Sequence, residues 1–249
     1  MSPGPRIRQR FQSPFESLNM PISHPTSINS SPPCIGLLKR LIPTMTRKMV
    51  ILTEGHTHPL TAKTACSVIR YRREQVVAIL DSCEAGKRCE QLLQVGEGIP
   101  IVASLDQAAE ADTLLLGIAT QGGQIPEPWR HLILEALGRG MDVVSGLHDF
   151  LCDDAEIAAA AKLQGRQIVD VRKNQHRSVA NRQNIRADCL RVHTVGNDCN
   201  VGKMVTSIEI ARGLQSRKLD AKFVATGQTG IMIEGDGCPI DCVVADFVN

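Results

Sequence analysis

"CLRVHTVGNDCNVGKMVTSIEIARGL", residues 189–214, joins an apolar run, a glycine loop and an amphipathic stretch that begins at Lys203. The order predicts a strand over 189–196, a loop, and a helix over 203–217. A phosphate-binding loop has this layout: backbone N–H groups near the second glycine and the start of the helix face an anion, and the helix dipole favours negative charge there. Lys203 adds a point charge for the distal phosphates. Two details depart from the common pattern. Five residues separate Gly196 from Gly202, where four are usual, and Met204 stands where a Ser or Thr normally ligates Mg²⁺. Thr206 and Ser207 lie further along the helix and face other directions. The loop therefore promises phosphate binding through Gly196, Asn197, Asp198, Cys199, Asn200, Val201, Gly202, Lys203, Met204 and Thr206, without promising hydrolysis.

Downstream, "AKFVATG" (221–227) and "DCVVADF" (241–247) read as further strands. Between them, Gln228 and Thr229 sit in a glycine series and offer hydrogen bonds to a ligand. Asp246, at a strand end, is either a metal-binding carboxylate like those of nucleotide hydrolases or a simple strand terminus. This second α/β unit, 189–249, falls short of a usual domain of ~100–150 residues. The expectation is a truncated domain.

Upstream, residues 48–173 alternate short apolar runs with helical patterns. Strands are predicted at 48–55, 74–81, 99–105, 112–120, 141–147 and 166–173. Helices are predicted at 61–72, 87–94, 106–111, 127–140 and 153–165. Parallel strands need helical crossovers, so this is a Rossmann-like parallel sheet with helices on both faces. The first turn, "TEGHTHPLTAKTA", has Gly55 alone, so the G-x-G-x-x-G fingerprint of dinucleotide binding is absent. His56 and His58 read as loop residues rather than metal ligands. Gly122 and Gly123 read as a turn before Pro126, with an anion-binding concavity as the alternative. His148 and Asp149, just past a strand end, are candidates for an acid–base pair, and Asp153 for a helix cap. A polar, basic linker, 174–188, separates the two units.

Composition bounds the rest. The 249 residues are 43% hydrophobic and 22% charged, as in globular proteins, with 3% aromatics. So few aromatics speak against stacking on single-stranded nucleic acid. The net charge of +2 is uneven: residues 1–48 carry seven basic residues against Glu16, leaving a mildly acidic body and no case for a nucleic-acid partner. Residues 1–47, rich in Ser, Pro and Arg, read as a disordered tail or a start placed too far upstream. Nine scattered cysteines without a CxxC pair suggest free thiols in the cytoplasm and no metal site. No apolar run is long enough to span a membrane. A homo-oligomer stays open.

The five-residue spacer between Gly196 and Gly202 resembles the loop of dethiobiotin synthetase and its relatives. "VGNDCNVGKMVTSIEIARGL" and "FVATGQTGIMIEGDGCPIDCVVADFVN" together are similar to the P-loop domain of the D-glutamate N-acetyltransferase family, long known as a domain of unknown function. "SGLHDFLCDD" and "IVDVRK" match that family's Rossmann-like N-terminal domain. The resemblance spans about 48–249 and includes Met204. It implies a two-domain enzyme that acetylates D-glutamate or a related D-amino acid from acetyl-CoA, whose phosphates a P-loop can cradle without a hydrolytic Mg²⁺. The partner is then a small-molecule substrate. Two alternatives stay open: an ATP/Mg-dependent ligase or kinase, and a nucleotide-binding fragment without catalysis.

Overall fold

Six short runs rich in Val, Ile and Leu build one parallel sheet. They are β1 (Met49–Leu52), β2 (Val76–Leu80), β3 (Ile101–Val102), β4 (Thr113–Leu116), β5 (Asp142–Ser145) and β6 (Ile168–Asp170). The computed structural model describes residues 47–118, 123–174, 185–198 and 201–240, all within one compact unit. Strand order is β3-β2-β1-β4-β5-β6, and every pairing is parallel. Central strands covered on both faces must be apolar at every position. β1 obeys this with Met49, Val50, Ile51 and Leu52 all buried.

Helices α1 (Lys63–Arg72), α2 (Cys89–Leu93), α3 (Glu127–Gly138) and α4 (Ala155–Gln164) form the crossovers. α3 buries Trp129, Leu132, Ile133, Ala136 and Leu137, the i, i+3, i+4 stripe of a helix lying on a sheet. Full burial of each such large side chain stabilises the fold by ~1.5–3 kcal/mol. Asp154 caps α4 by accepting from the N–H groups of Glu156 and Ile157 at 3.0 Å. Gly165 ends it in the left-handed conformation at φ 61°.

The order in which strands are added reverses between β1 and β4, and there the packing is tight. Gly117, just past β4, donates to Leu52 O at 2.9 Å and accepts from Ala65 N at 2.8 Å. A Cβ at 117 would lie 3.0 Å from Ala65 Cβ and 3.1 Å from Thr53 Cγ2. The start of α1 thus rests directly on the end of β4.

After the linker come α5 (Lys203–Ser216) and α6 (Gln228–Glu234). Both lean on α1. Arg72 Nη1 donates to Met232 O at 2.7 Å, Tyr71 Oη to Glu209 Oε1 at 2.8 Å, and the Arg212 guanidinium lies 4.6 Å from the Tyr71 ring centre. Ile208, Ala225, Ile231, Met232 and Ile233 extend the Rossmann core without a break.

Several boundaries differ from the sequence expectation. Residues 189–196 carry the apolar alternation of a strand but form no ladder, and Leu190, Val192 and Val195 are exposed. A strand needs a hydrogen-bonded neighbour, and none stands beside this segment among the described residues. The segment 221–227 makes only an isolated parallel bridge, Ala225 to Gly237. The predicted helix at 106–111 is a 3₁₀ turn, Leu105–Ala108. Arg47, assigned from sequence to the tail, is buried and reaches Thr113 Oγ1 at 3.2 Å and Asp142 Oδ2 at 3.3 Å. The predicted strand 241–247, most of the linker, and residues 1–46 lie outside the described residues.

Candidate functional site

Open parallel sheets bind ligands beyond the carboxyl ends of their strands. Here that rim collects the loops after β1, β2, β4, β5 and β6, together with the first turn of α6.

The phosphate loop comes from the second half. Gly202 adopts φ +88° and opens α5 without a side-chain cap. That leaves the first backbone N–H groups of a 14-residue helix pointing out of its end. Gly196 is needed for close approach, because a Cβ there would lie 2.6 Å from Val201 Cγ2 and 3.4 Å from the Lys203 side chain. Lys203 Nζ closes the loop by donating to Asp198 O. An incoming phosphate would compete for that ammonium. Asn197, Asp198, Val201 and Gly202 are exposed, and Cys199 and Asn200 lie outside the described residues.

The first hydroxyls of α5 bond back to the backbone of the helix start. Thr206 Oγ1 donates to Gly202 O at 3.1 Å. Ser207 Oγ donates to Lys203 O at 3.2 Å and shares a 2.6 Å contact with Thr194 Oγ1. Met204 packs against the core. No hydroxyl follows the lysine in position, and the next two are engaged within the helix and its preceding segment.

Gln228 and Thr229, read from sequence as ligand-facing residues in a glycine series, begin α6. Gln228 reaches into the Rossmann half, where Arg172 Nε donates to its Oε1 at 3.2 Å and to Gly146 O at 2.7 Å. A Cβ on Gly146 would collide with Gln228 Oε1 and lie 2.9 Å from its Cδ. Thr229 Oγ1 meets Thr64 Oγ1 of α1 at 3.1 Å. Arg172, in "IVDVRK" just past the end of β6, thus bridges the two halves, a contact that sequence reasoning did not anticipate.

His148 and Asp149 are exposed at the end of β5, with both backbone N–H groups donating to Gly123 O at 3.0 and 3.1 Å. Gly123 has φ +71°, and a Cβ there would lie 2.6 Å from the His148 ring. The histidine therefore rests on the glycine turn, whose Gly122 lies outside the described residues. Asp149 joins it on the loop; Asp246 lies outside the described residues. Asp153 pairs with Lys173 at 2.5 Å, and the helix cap is Asp154.

The first turn is closed by its own side chains. His56 meets Trp129 edge-on at 6.2 Å, and His58 Nδ1 accepts from Leu60 N at 3.2 Å. Glu54, Asp81 and Cys83 bring ligand-type atoms within 4.8 Å of one another. The two carboxylates are already occupied. Glu54 accepts from Ser82 N at 2.8 Å, and Asp81 from Cys83 N at 3.0 Å and Thr57 Oγ1 at 2.5 Å. Asp81 is fully buried. A dinucleotide fold would turn a carboxylate at this strand end toward ribose; this one faces inward. Burial also pushes the Cys89 thiol up to about 12, so it stays protonated.

A Rossmann-like sheet followed by a glycine loop and its helix defines a two-domain α/β protein. Comparison places it more closely. Residues 82–174 match the domain described as "Domain of unknown function (DUF1611_N) Rossmann-like domain", and 177–249 match "Domain of unknown function (DUF1611_C) P-loop domain". The chain belongs to the DUF1611 family. It is 43% identical over 143 residues to a protein of Tritonibacter scottomollicae named D-glutamate N-acetyltransferase, covering 57% of this chain and 42% of that one. It is 34% identical over 197 residues to one of the same name from Pseudoalteromonas sp, covering 78% and 56%. The crystal structure of a DUF1611-family protein from Anabaena variabilis ATCC 29413 is similar at TM-score 0.73 and 37% identity, covering 81% of this chain and 59% of that one. The chain thus spans about half the length of the curated relatives it matches.

Proposed function

We propose that this chain is an N-acetyltransferase that uses acetyl-CoA to acetylate D-glutamate or a related D-amino acid, with Gly196–Lys203 holding the phosphates of the donor. The observation that carries the reading is the start of α5. Backbone donors and Lys203 are set out for an anion, whereas Met204 is packed inward and the Thr206 and Ser207 hydroxyls are bonded within the fold. That arrangement suits holding a phosphorylated carrier better than hydrolysing Mg-ATP. The names of the two curated relatives support the same choice.

In this reading the α-amine must lose a proton before it attacks the thioester carbonyl, and the developing oxyanion needs donors. His148 and Asp149 are the candidate proton acceptors, since both stand exposed on the rim, on a loop pinned to Gly123. The free thiols among the described residues fit a reducing compartment, the cytoplasm. Among the described residues no helix is long and apolar enough to cross a membrane.

The test supplies acetyl-CoA with D-glutamate, and Mg-ATP in a separate reaction, and follows products by mass spectrometry. Acetyl transfer should fall at least tenfold in Lys203→Ala, the loss of one charge-assisted contact. Magnesium-dependent ATP turnover without acetyl transfer sinks the proposal and favours the ligase or kinase reading.

A further inference from the structure

α5 carries the phosphate loop at its start, yet of its 14 residues it buries only Ile208 and Ala211. An isolated helix of that length is marginal in water, so tertiary contacts must hold it in place. Met204 supplies one from the first turn, partly buried against the core. The other anchor is polar and meets the last turn of α1. Glu209 and Arg212, three residues apart, share a face of the helix beside Ile208 and Ala211. Both reach Tyr71, which is 8% exposed. The Tyr71 hydroxyl donates to Glu209 Oε1 at 2.8 Å. The Arg212 guanidinium lies 4.6 Å from the ring centre, and its Nη2 donates to Tyr71 O at 3.4 Å. Burial, then the bond to Glu209, pushes the phenol up, so the hydroxyl keeps its proton and donates at neutral pH.

The contacts continue in both directions. Thr194, ahead of the loop, donates to Lys203 O at 3.0 Å and meets Ser207 Oγ, so the entry to the loop moves with the first turns of α5. At the other end of α1, Ala65 N donates to Gly117 O at 2.8 Å, just past β4. α1 is thus fixed to the carboxyl end of the sheet at its start and to α5 at its finish. We propose that Tyr71 is a positioning residue: through Glu209 and Arg212 it locks α5 in register on α1, and so sets where the phosphate loop stands relative to the strand ends. The lock rests on the proposed acetyltransferase reading for its chemical consequence. Donor phosphates held by the loop bring the thioester to an amine at the strand ends only if that separation is fixed. A misplacement of about 1 Å can cost about 10²-fold in rate. Tyr71 touches neither substrate in this scheme.

The test combines hydrogen exchange with steady-state kinetics on the full chain. Tyr71→Phe removes the hydroxyl and keeps the ring beside Arg212. Amides of α5 should exchange roughly tenfold faster, the loss of one hydrogen bond to a charged group, with β1 and β4 unchanged. In acetyl transfer from acetyl-CoA to D-glutamate, kcat should fall roughly tenfold. KM for acetyl-CoA should stay within about twofold, because the loop keeps its own donors. Glu209→Ala, at an exposed position, should repeat both effects, and the double variant should add nothing to either. Glu209→Gln keeps an accepting oxygen and should retain wild-type exchange and kcat. Unchanged α5 exchange in both Tyr71→Phe and Glu209→Ala overturns the lock. Faster α5 exchange without acetyl transfer by the unmodified chain upholds the lock and removes the acetyltransferase reading. Acetyl transfer whose kcat ignores both variants does the reverse.

Discussion

Asp154 shows how one side chain performs two jobs. It accepts two backbone N–H groups at the start of α4, and it faces Arg130, whose Nη2 donates to Oδ1 at 2.8 Å. The Arg130 contacts, then the backbone bonds, hold its carboxyl down at about 2, below the usual 3.8. A carboxyl depressed on folding stabilises the fold above its unfolded value, and the contribution is lost as pH falls through the folded value. The window here runs from about 4 down to about 2. Asp154→Ala should therefore cost ~0.5–2 kcal/mol at pH 7, the range for a lost N-cap. The gap from wild type should narrow through that window and keep the part that the neutral capping oxygen still supplies. Urea denaturation at pH 7 and across pH 4 to 2 checks it. Asp154→Asn keeps the capping oxygen and should recover most of the stability, because a partly exposed ion pair adds little.

α6 is the element that joins the halves. Its helix is short, but Ile231, Met232 and Ile233 bury against α1 and Arg72 bonds the carbonyl of Met232. Its first residue occupies the space over Gly146. Gly146→Ala should push Gln228 out and lower stability by ~1–3 kcal/mol, as overpacking does. Gln228→Ala in the same chain removes the collision, so the double variant should be more stable than Gly146→Ala alone. Thermal melts of the four species read this coupling; simple additivity would refute it. The glycine-rich "TGQTGIMIEGDG" hid α6 in the sequence, because its helix depends on burial against α1 more than on local propensity. The Rossmann strands were legible because strands buried on both faces are apolar throughout. The phosphate loop was legible for a similar reason: strand-like run, glycines, lysine and helix are contiguous. Arg172 was not, since its contacts to Gly146 and Gln228 span 26 and 56 residues. The false strand at 189–196 has the right alternation, but pairing cannot be read from one segment.

At the scale of the whole chain, apolar surface is unevenly distributed. The buried core is drawn almost wholly from residues 49–171. By contrast Leu190, Val192, Val195, Val201, Ile210, Leu219, Val224 and Ile240 are exposed, with Leu190 at 90%. Amide protection follows hydrogen-bonded, buried backbone, so local opening should cost far less in the second half than in the first. Hydrogen exchange followed by mass spectrometry should find β1, β2, β4 and β5 slowest. Residues 190–196, without a ladder, should exchange within the earliest times. α6 should fall between, because its backbone is hydrogen-bonded and its apolar face covered by α1. Adding acetyl-CoA, if the phosphate loop holds it, should slow exchange at the start of α5 and leave β1 unchanged, since ligand binding protects the groups it orders. Equal protection of 190–196 and β1 would mean that the second half is as firmly built as the first. The exposed residues would then have a cover in solution, and the sheet would no longer be the chain's main source of stability.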